Sequence, residues 1–344
     1  MTDRLTRLTG REFVKAAFKR ERLERFCAYP VLGAVNAKFY GITVNEFLTD
    51  AAKFAAAQLA AYEHFEPDIV VMMADLVIEP EAMGQKVDFF DDRMSQQRGY
   101  LVEEKAKLAK LCVPNPKADG RMPYYLEACT RVAEARTGAT LGGVISGPWS
   151  LACELRGAER LLLDTFDDPG FVKSLMDFTM EVCEVFGEEV AKTGAGLSLS
   201  EAPASCSLIS PTIYKDFVAP YHKHIVDHFK ESKKAITIHI CGYIDPIMEM
   251  LVETGVAAVS IDAPSSLEKM LSIAAERTVV IGNVPTTVFL SEDREAMRRE
   301  VQKCRDIAGD VNAYVLASGC EVPIPSSAKS IEYFMEAARQ PRGM

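Results

Sequence analysis

Apolar residues along this chain gather into short runs rich in β-formers, separated by stretches where they recur at helical spacing. Eight runs stand out: FCAYPVLGAV (26–35), DIVVMMADLVI (68–78), GATLGGVISG (138–147), GAGLSLSEA (194–202), AITIHICG (235–242), AAVSIDAP (257–264), TVVIGNV (278–284) and AYVLASGC (313–320). Several end in Gly, Pro or Asx turn residues, as chain leaving a strand does. The stretches between them carry helix starts with a physical basis. SPTIYKDFVAPYHKHIVDHFKES opens with Ser210 as N-cap and Pro211 at the first helical position. SEDREAMRREVQKCRDIAG has Ser291 as cap, acids in the first turn where the helix dipole favours them, and a glycine at its end.

Strands alternating with helices predict βαβ units on a parallel sheet, and eight such units predict a TIM (β/α)8 barrel. A barrel of this kind takes about 250 residues, so roughly 90 of the 344 are left for an N-terminal helical segment and insertions. The largest insertion, residues 79–137, falls between strands 2 and 3. No linker-like stretch divides the chain, and residues 1–344 read as a single barrel domain.

Composition narrows the partners. A net charge of −10 and a pI near 5.2 leave no basic face to displace the counterions of a phosphate backbone, so nucleic acid is not expected. The first 26 residues are basic but lack the apolar core of a signal peptide and carry acids that a transit peptide avoids; they read as a solvated amphipathic helix. No apolar stretch approaches the roughly 20 residues that span a bilayer, so no membrane association is expected. Nine cysteines at irregular spacing, an odd number, read as reduced thiols of a cytoplasmic protein.

The candidate chemistry lies at strand ends. Side chains at i and i+2 of a strand share a face, so His239 and Cys241 look into the barrel together while Ile238 and Ile240 face the helices. Both sit at the C-terminal end of their strand, where barrel active sites are built. Cys320, the last residue of the eighth run, belongs to the same rim and supplies a third soft ligand. Cys27 begins its strand at the wrong end; Cys112, Cys129, Cys153, Cys183 and Cys304 fall in helical or insertion segments; Cys206, in a loop after strand 4, is the reserve. One imidazole and two thiolates define a zinc site whose charge is cancelled by its ligands, which disfavours water activation. Such an ion still holds a substrate thiol as its thiolate at neutral pH. The exchangeable fourth position that catalysis needs has Asp262, at the end of strand 6, as nearest candidate; the other reading of Asp262 is a cap on the loop that follows.

These stretches, together with DIVVMMADLVIEPEAMG, ISGPWSL, LISPTIYKDFVAPYHKHI, HICGYIDPIMEMLVETG, GNV and LASGCEVPIPSS, resemble the uroporphyrinogen decarboxylase superfamily over residues 60–335. Within it, His239-x-Cys241-Gly242 with Cys320 further on is similar to the zinc triad of the methylcobamide:coenzyme M methyltransferases. The resemblance implies a TIM barrel, a zinc-activated thiol as methyl acceptor, and a methylated corrinoid delivered by a partner protein. It implies a zinc-ligating carboxylate at Asp262, one methylene shorter here than the glutamate expected. Asp75 matches the position of the decarboxylases' catalytic aspartate, with a substrate contact or a structural role at the strand end as its two readings. Against decarboxylation stand the loop GAVNAKFYG, with Lys38 its only cation where decarboxylases carry arginines, Glu154 in place of a tyrosine, and Cys320 in place of a histidine.

The expected function is therefore methyl transfer from a methyl-Co(III) corrinoid to a thiol such as coenzyme M, with tetrahydrofolate as an alternative acceptor and a metal-free decarboxylase as the alternative reaction. A corrinoid carrier is disfavoured, because the Asp-x-His-x-x-Gly loop of such carriers is missing. Asn36, Lys38 and Asn283 are candidate acceptor contacts. His224 and His228, at i and i+4, read as a solvated helix face; Glu79 and Glu81 read as N-terminal helix acids; Met72, Met73 and Met83 read as fillers of core or pocket.

Overall fold

A computed structural model of the chain describes residues 8–275 and 277–343. Each of the eight apolar runs contains a strand: β1 Cys27–Tyr29, β2 Ile69–Met72, β3 Thr140–Ser146, β4 Gly196–Ser200, β5 Ile236–Ile240, β6 Ala258–Ile261, β7 Val279–Val284 and β8 Tyr314–Ser318. From β2 to β8 every strand pairs in parallel with its neighbour in sequence, and β8 pairs with β1. This is the (β/α)8 barrel, with helices packed around it.

The seam between β1 and β2 is closed by a side chain. Asp68 donates its backbone N–H to the Ala28 carbonyl at 3.0 Å, and its carboxylate accepts from the Ala28 N–H at 2.7 Å. Arg25 then grips the same carboxylate with both ends of its guanidinium, at 2.6 and 2.9 Å. A bidentate pair fixes direction as well as distance, so the short β1 is held in register where ladder bonds are few.

The helix Gly10–Phe18 closes the floor of the barrel. Thr9 and Glu12 form a reciprocal capping box at its start. Its buried face, Phe13, Val14 and Ala17, packs on the inward ends of the strands at Ile69, Ala258, Ile281 and Val315. The solvated helix expected at the N-terminus is thus half buried: its charged residues face water and its apolar stripe plugs the barrel. Residues 1–7 of that expectation lie outside the described residues.

The insertion expected over 79–137 also needs correction. Its last part, Met122–Glu134, is the barrel helix of the second βα unit, packed on the helix Ala51–Phe65. The excursion proper carries a small antiparallel ribbon, Val87–Asp88 with Gln96–Gln97, and a 3-10 segment, Lys105–Lys110.

Two helix starts show how local chemistry decides. Ser210 caps Pro211–Ile213 as expected, accepting from the Ile213 N–H at 3.2 Å. The backbone then widens into a π-turn, Tyr214–Val218, before the helix Ala219–Glu231. Pro220 supplies the cause, having no N–H for the helical ladder and a ring that crowds the preceding turn. In the other helix the cap is Asp293, accepting from the Ala296 N–H at 2.9 Å, and not Ser291; the helix runs Arg294–Ala308 and ends at Gly309 as expected. Among the described residues no helix is long and apolar enough to cross a membrane.

Candidate metal centre

β5 ends in His239 and Ile240, with Cys241 the next residue, and the period of two turns His239 and Cys241 into the barrel while Ile238 and Ile240 are fully buried. His239 Nε2 lies 3.2 Å from Cys241 Sγ, and Cys241 Sγ lies 3.5 Å from Cys320 Sγ, which arrives just past the end of β8. The three ligand atoms all fall within 4.8 Å of one another, and among the described residues this is the one His/Cys/Asp/Glu group so gathered. The three residues singled out at the strand ends are therefore brought to one point.

The two sulfurs lie close enough to shift each other. Cys241 is pushed well above the usual thiol range, chiefly by its hydrogen bond to Cys320 and then by burial. Cys320 is pulled down to about 4, first by that same hydrogen bond and, against burial, by His239 as well. Two sulfurs in contact beside an imidazole are a donor set that a soft divalent ion can take up once the thiols have lost their protons.

The loop after β5 is built to hold Cys241 in place. Gly242 has φ +69°, and a Cβ there would meet Ser205 Oγ at 2.9 Å, so the turn admits glycine alone without strain. Asp262 accepts from the Gly242 N–H at 2.9 Å with one oxygen and from its own neighbour, the Ala263 N–H, at 2.7 Å with the other. Of its two readings the structure favours the loop cap, since both oxygens are committed to backbone. A Cβ on Gly319 would sit 2.9 Å from Asp262 Oδ1 and from Ala263 N, so this glycine lets Cys320 approach the same loop. His239 is oriented from its other ring nitrogen, Nδ1, which lies 2.9 Å from Ser260 Oγ. Sequence reading missed Ser260, although it sits two residues before Asp262 on the same strand face.

Asp75 is held elsewhere on the rim. Arg121 reaches it with two nitrogens at 2.9 and 3.0 Å, Ser95 donates to it at 2.5 Å, and Arg121 also pairs with Glu81. The carboxylate ties the excursion to the end of β2 and does not line the space below the triad. Glu79 is buried and accepts from the Ser146 N–H at 2.8 Å, joining β2 to β3; burial pushes its carboxyl up to about 7. Burial, and then the charge of Asp75, likewise push Glu154 up to about 7. A further buried carboxylate, Glu201, accepts from the backbone N–H groups of Trp149 and Ser150 and lies 3.0 Å from His222 Nε2. It anchors the start of the helix Pro148–Arg156 to the end of β4.

The three candidate acceptor contacts are not brought to the triad. Asn36 is buried and donates to Gln58 and the Leu32 carbonyl. Lys38 donates to the carbonyls of Pro325 and Ser326, both at 3.3 Å. Asn283 donates to the carbonyls of Asp262 and Ser265 behind the rim. Lys38 and Asn283 point to backbone because helix ends and loops leave carbonyls that a nearby amide or ammonium satisfies, and Asn36 is shared between the Gln58 side chain and a carbonyl. Cys206, the reserve ligand, hydrogen-bonds through its backbone to Tyr243 and stays apart from the group. His224 and His228 pair with Glu184 and Glu188 of the neighbouring helix Pro169–Lys192, at 2.9 and 3.1 Å.

Beneath the triad a cavity of about 370 Å³ runs down the barrel axis to Val14 and Phe18 on the floor helix. Gly142, Gly196, Ser198 and Thr237 form one wall and Ile69, Val71 and Met73 another.

A buried-ligand rim on a (β/α)8 barrel defines a class of enzyme scaffold, and comparison with known proteins makes the class specific. The family model described as uroporphyrinogen decarboxylase (URO-D) matches residues 9–341, and the chain belongs to that family. The methylcobamide:CoM methyltransferase MtbA of Methanosarcina mazei is 25% identical, with 98% of this chain and 100% of that protein covered. The protein of the same name from Methanosarcina acetivorans is 24% identical over 97% of this chain and 99% of its own length. The uroporphyrinogen decarboxylase of Geobacter sulfurreducens is 24% identical over 70% of each chain. A solved methyltransferase from Methanosarcina mazei superposes with a TM-score of 0.87 at 20% identity, covering 96% of this chain and 98% of its own, which bears on the fold. As an enzyme the chain stands with the methyltransferase members, whose likeness runs its whole length.

Proposed function

We propose that the chain moves a methyl group from a methyl-Co(III) corrinoid, carried by a partner protein, to a small thiol held at a zinc ion on His239, Cys241 and Cys320. The observation that carries this reading is the meeting of one imidazole and two thiols at the barrel mouth. The donor set fits the metal: three soft ligands on one side, an open cavity on the other, and a hydrogen bond from the second imidazole nitrogen to fix the ring. When bound there, zinc would supply the charge that lets a substrate thiol lose its proton at neutral pH. Two thiolate ligands leave the ion little net charge, so the acceptor sulfur keeps its electron density for attack.

The residues around the triad orient and exclude. Ser260 sets the His239 ring, Asp262 sets the Gly242 turn, and the apolar wall of the cavity keeps water from the acceptor. In the transfer a sulfur–carbon bond forms and the cobalt–carbon bond breaks, its electron pair remaining on cobalt. Decarboxylation of a polycarboxylate fits poorly, since among the described residues no arginine or lysine lines the cavity.

The test is zinc content together with methyl transfer from free methylcobalamin to a panel of thiols, zinc-depleted protein serving as control. The expected result is near one zinc per chain, thioether formation, and loss of both on Cys320→Ser. Full zinc retention by that variant, or no transfer to any acceptor, sinks the reading.

A further inference from the structure

We propose that the acceptor thiol carries an uncharged, largely apolar tail, and that this tail lies in the axial cavity beneath Cys241 and Cys320. The inference rests on the methyl-transfer reading, which fixes the sulfur at the mouth of that cavity.

TIM-barrel interiors are normally filled by layers of bulky branched side chains. Here the inward positions of β3, β4 and β5 carry Gly142, Gly196, Ser198 and Thr237, and about 370 Å³ is left open, at the small end of ligand pockets. The opening is continuous with the triad. Gly142 pairs with Gly196, and Ser200, further along the same strand, pairs with His239, so the small-residue wall begins roughly 13 Å below the ligand level. Val14 and Phe18 line the far end, which sets a limit on tail length.

Charge excludes an anionic tail. Among the described residues no lysine or arginine lines the cavity, and the one carboxylate that does, Glu321, is held at its edge by the Ala34 N–H at 2.8 Å. The cations of the rim are already engaged, Arg121 by Asp75 and Glu81, and Lys38 by two carbonyls. A sulfonate or carboxylate drawn inside would lose its water and meet only neutral hydroxyls, with no cation to offset its charge. A corrin macrocycle is far too wide for the bore, so the donor stays above the mouth and the cavity falls to the acceptor.

The experiment compares n-alkanethiols from ethanethiol to hexanethiol with 2-mercaptoethanesulfonate and tetrahydrofolate, using methylcobalamin as donor. Expected is a rise in kcat/KM of about three- to fourfold per methylene until the chain reaches the floor, with the sulfonate at least about tenfold below ethanethiol. A flat chain-length profile, or preference for the sulfonate or the folate, overturns the proposal and leaves methyl transfer standing. A readout free of metal and turnover is calorimetric binding of 1-hexanol to zinc-depleted protein, expected to weaken about tenfold or more in Gly142→Val. A Cβ at Gly142 meets nothing closer than 3.9 Å, so a side chain starts there without displacing backbone, and circular dichroism of the variant checks that it folds; Ser198→Leu fills the same wall from β4 as a second variant. Hexanol binding lost in both variants supports the cavity even where no thiol is methylated, an outcome that would instead remove the methyl-transfer reading. Absence of hexanol binding overturns the proposal.

Discussion

Asp262 is spent on the backbone of the loop that carries Cys241. Both of its oxygens accept backbone N–H groups, of Gly242 and Ala263, so it bears on the proposed metal ligands through the turn that carries Cys241. Asp262→Ala frees that turn, and zinc affinity measured by chelator competition is expected to fall about 10- to 100-fold, the usual cost of losing an outer-shell partner. Asp262→Asn keeps one acceptor oxygen and is expected to fall between. Ser260→Ala, which releases the His239 ring, should lose affinity on the same scale. Equal affinity in all three variants would show the triad to be self-supporting. The meeting of the three candidate ligands was legible in the sequence, because the strand period alone puts His239 and Cys241 on one face and Cys320 follows the end of another strand. Their supports were not: whether Asp262 faces a metal or an amide depends on how far its chain reaches, and Ser260 is one of many serines until β5 and β6 are paired.

At the scale of elements, the seam between β1 and β2 depends on one ion pair. Asp68 is nearly buried and Arg25 mostly so, with side-chain exposures of 4% and 15%. Asp68→Ala removes the acceptor of Ala28 and leaves the guanidinium with no carboxylate, a loss of about 3–5 kcal/mol in denaturant titration. Asp68→Asn keeps the hydrogen bonds without the charge and should cost less. A loss below about 1 kcal/mol for the alanine variant would mean that the strands close without the pair. The eight strands were legible because each is a short apolar run bounded by turn residues, and parallel pairing of consecutive units follows from the helices between them. The seam was not legible, since Arg25 and Asp68 lie far apart in the chain and look like ordinary surface charges. Cap choice failed for a local reason: Ser291 and Asp293 are both good caps, and the 3-10 turn Thr286–Leu290 delays the helix until the second.

For the whole molecule, buried carboxyls set the pH at which the fold is firmest. Glu79 and Glu154 stand at about 7 in the folded chain because burial disfavours their charged forms, against an ordinary value of 4.5. In the window between those values the folded state holds more protons than the unfolded one, so stability falls as pH rises. The contribution is fully present below the unfolded value and is lost on passing through the folded one, roughly 1–3 kcal/mol for each group. Exposed carboxylates such as Asp88 and Asp227, lowered by Arg98 and Lys223, act in the opposite sense at lower pH, and solvent screening keeps their effect small. The maximum is therefore expected on the acid side of neutrality, with thermal stability at fixed zinc saturation declining between pH 5 and 8. Glu79→Gln retains an oxygen for the Ser146 N–H without a charge to desolvate, so the variant should match the wild type at pH 5 and exceed it at pH 8. Glu154→Gln should flatten the same limb independently. A stability curve that rises from pH 5 to 8 in the wild type, with both glutamine variants parallel to it, would mean that these carboxyls ionise freely and that the rim is wetter than its burial implies.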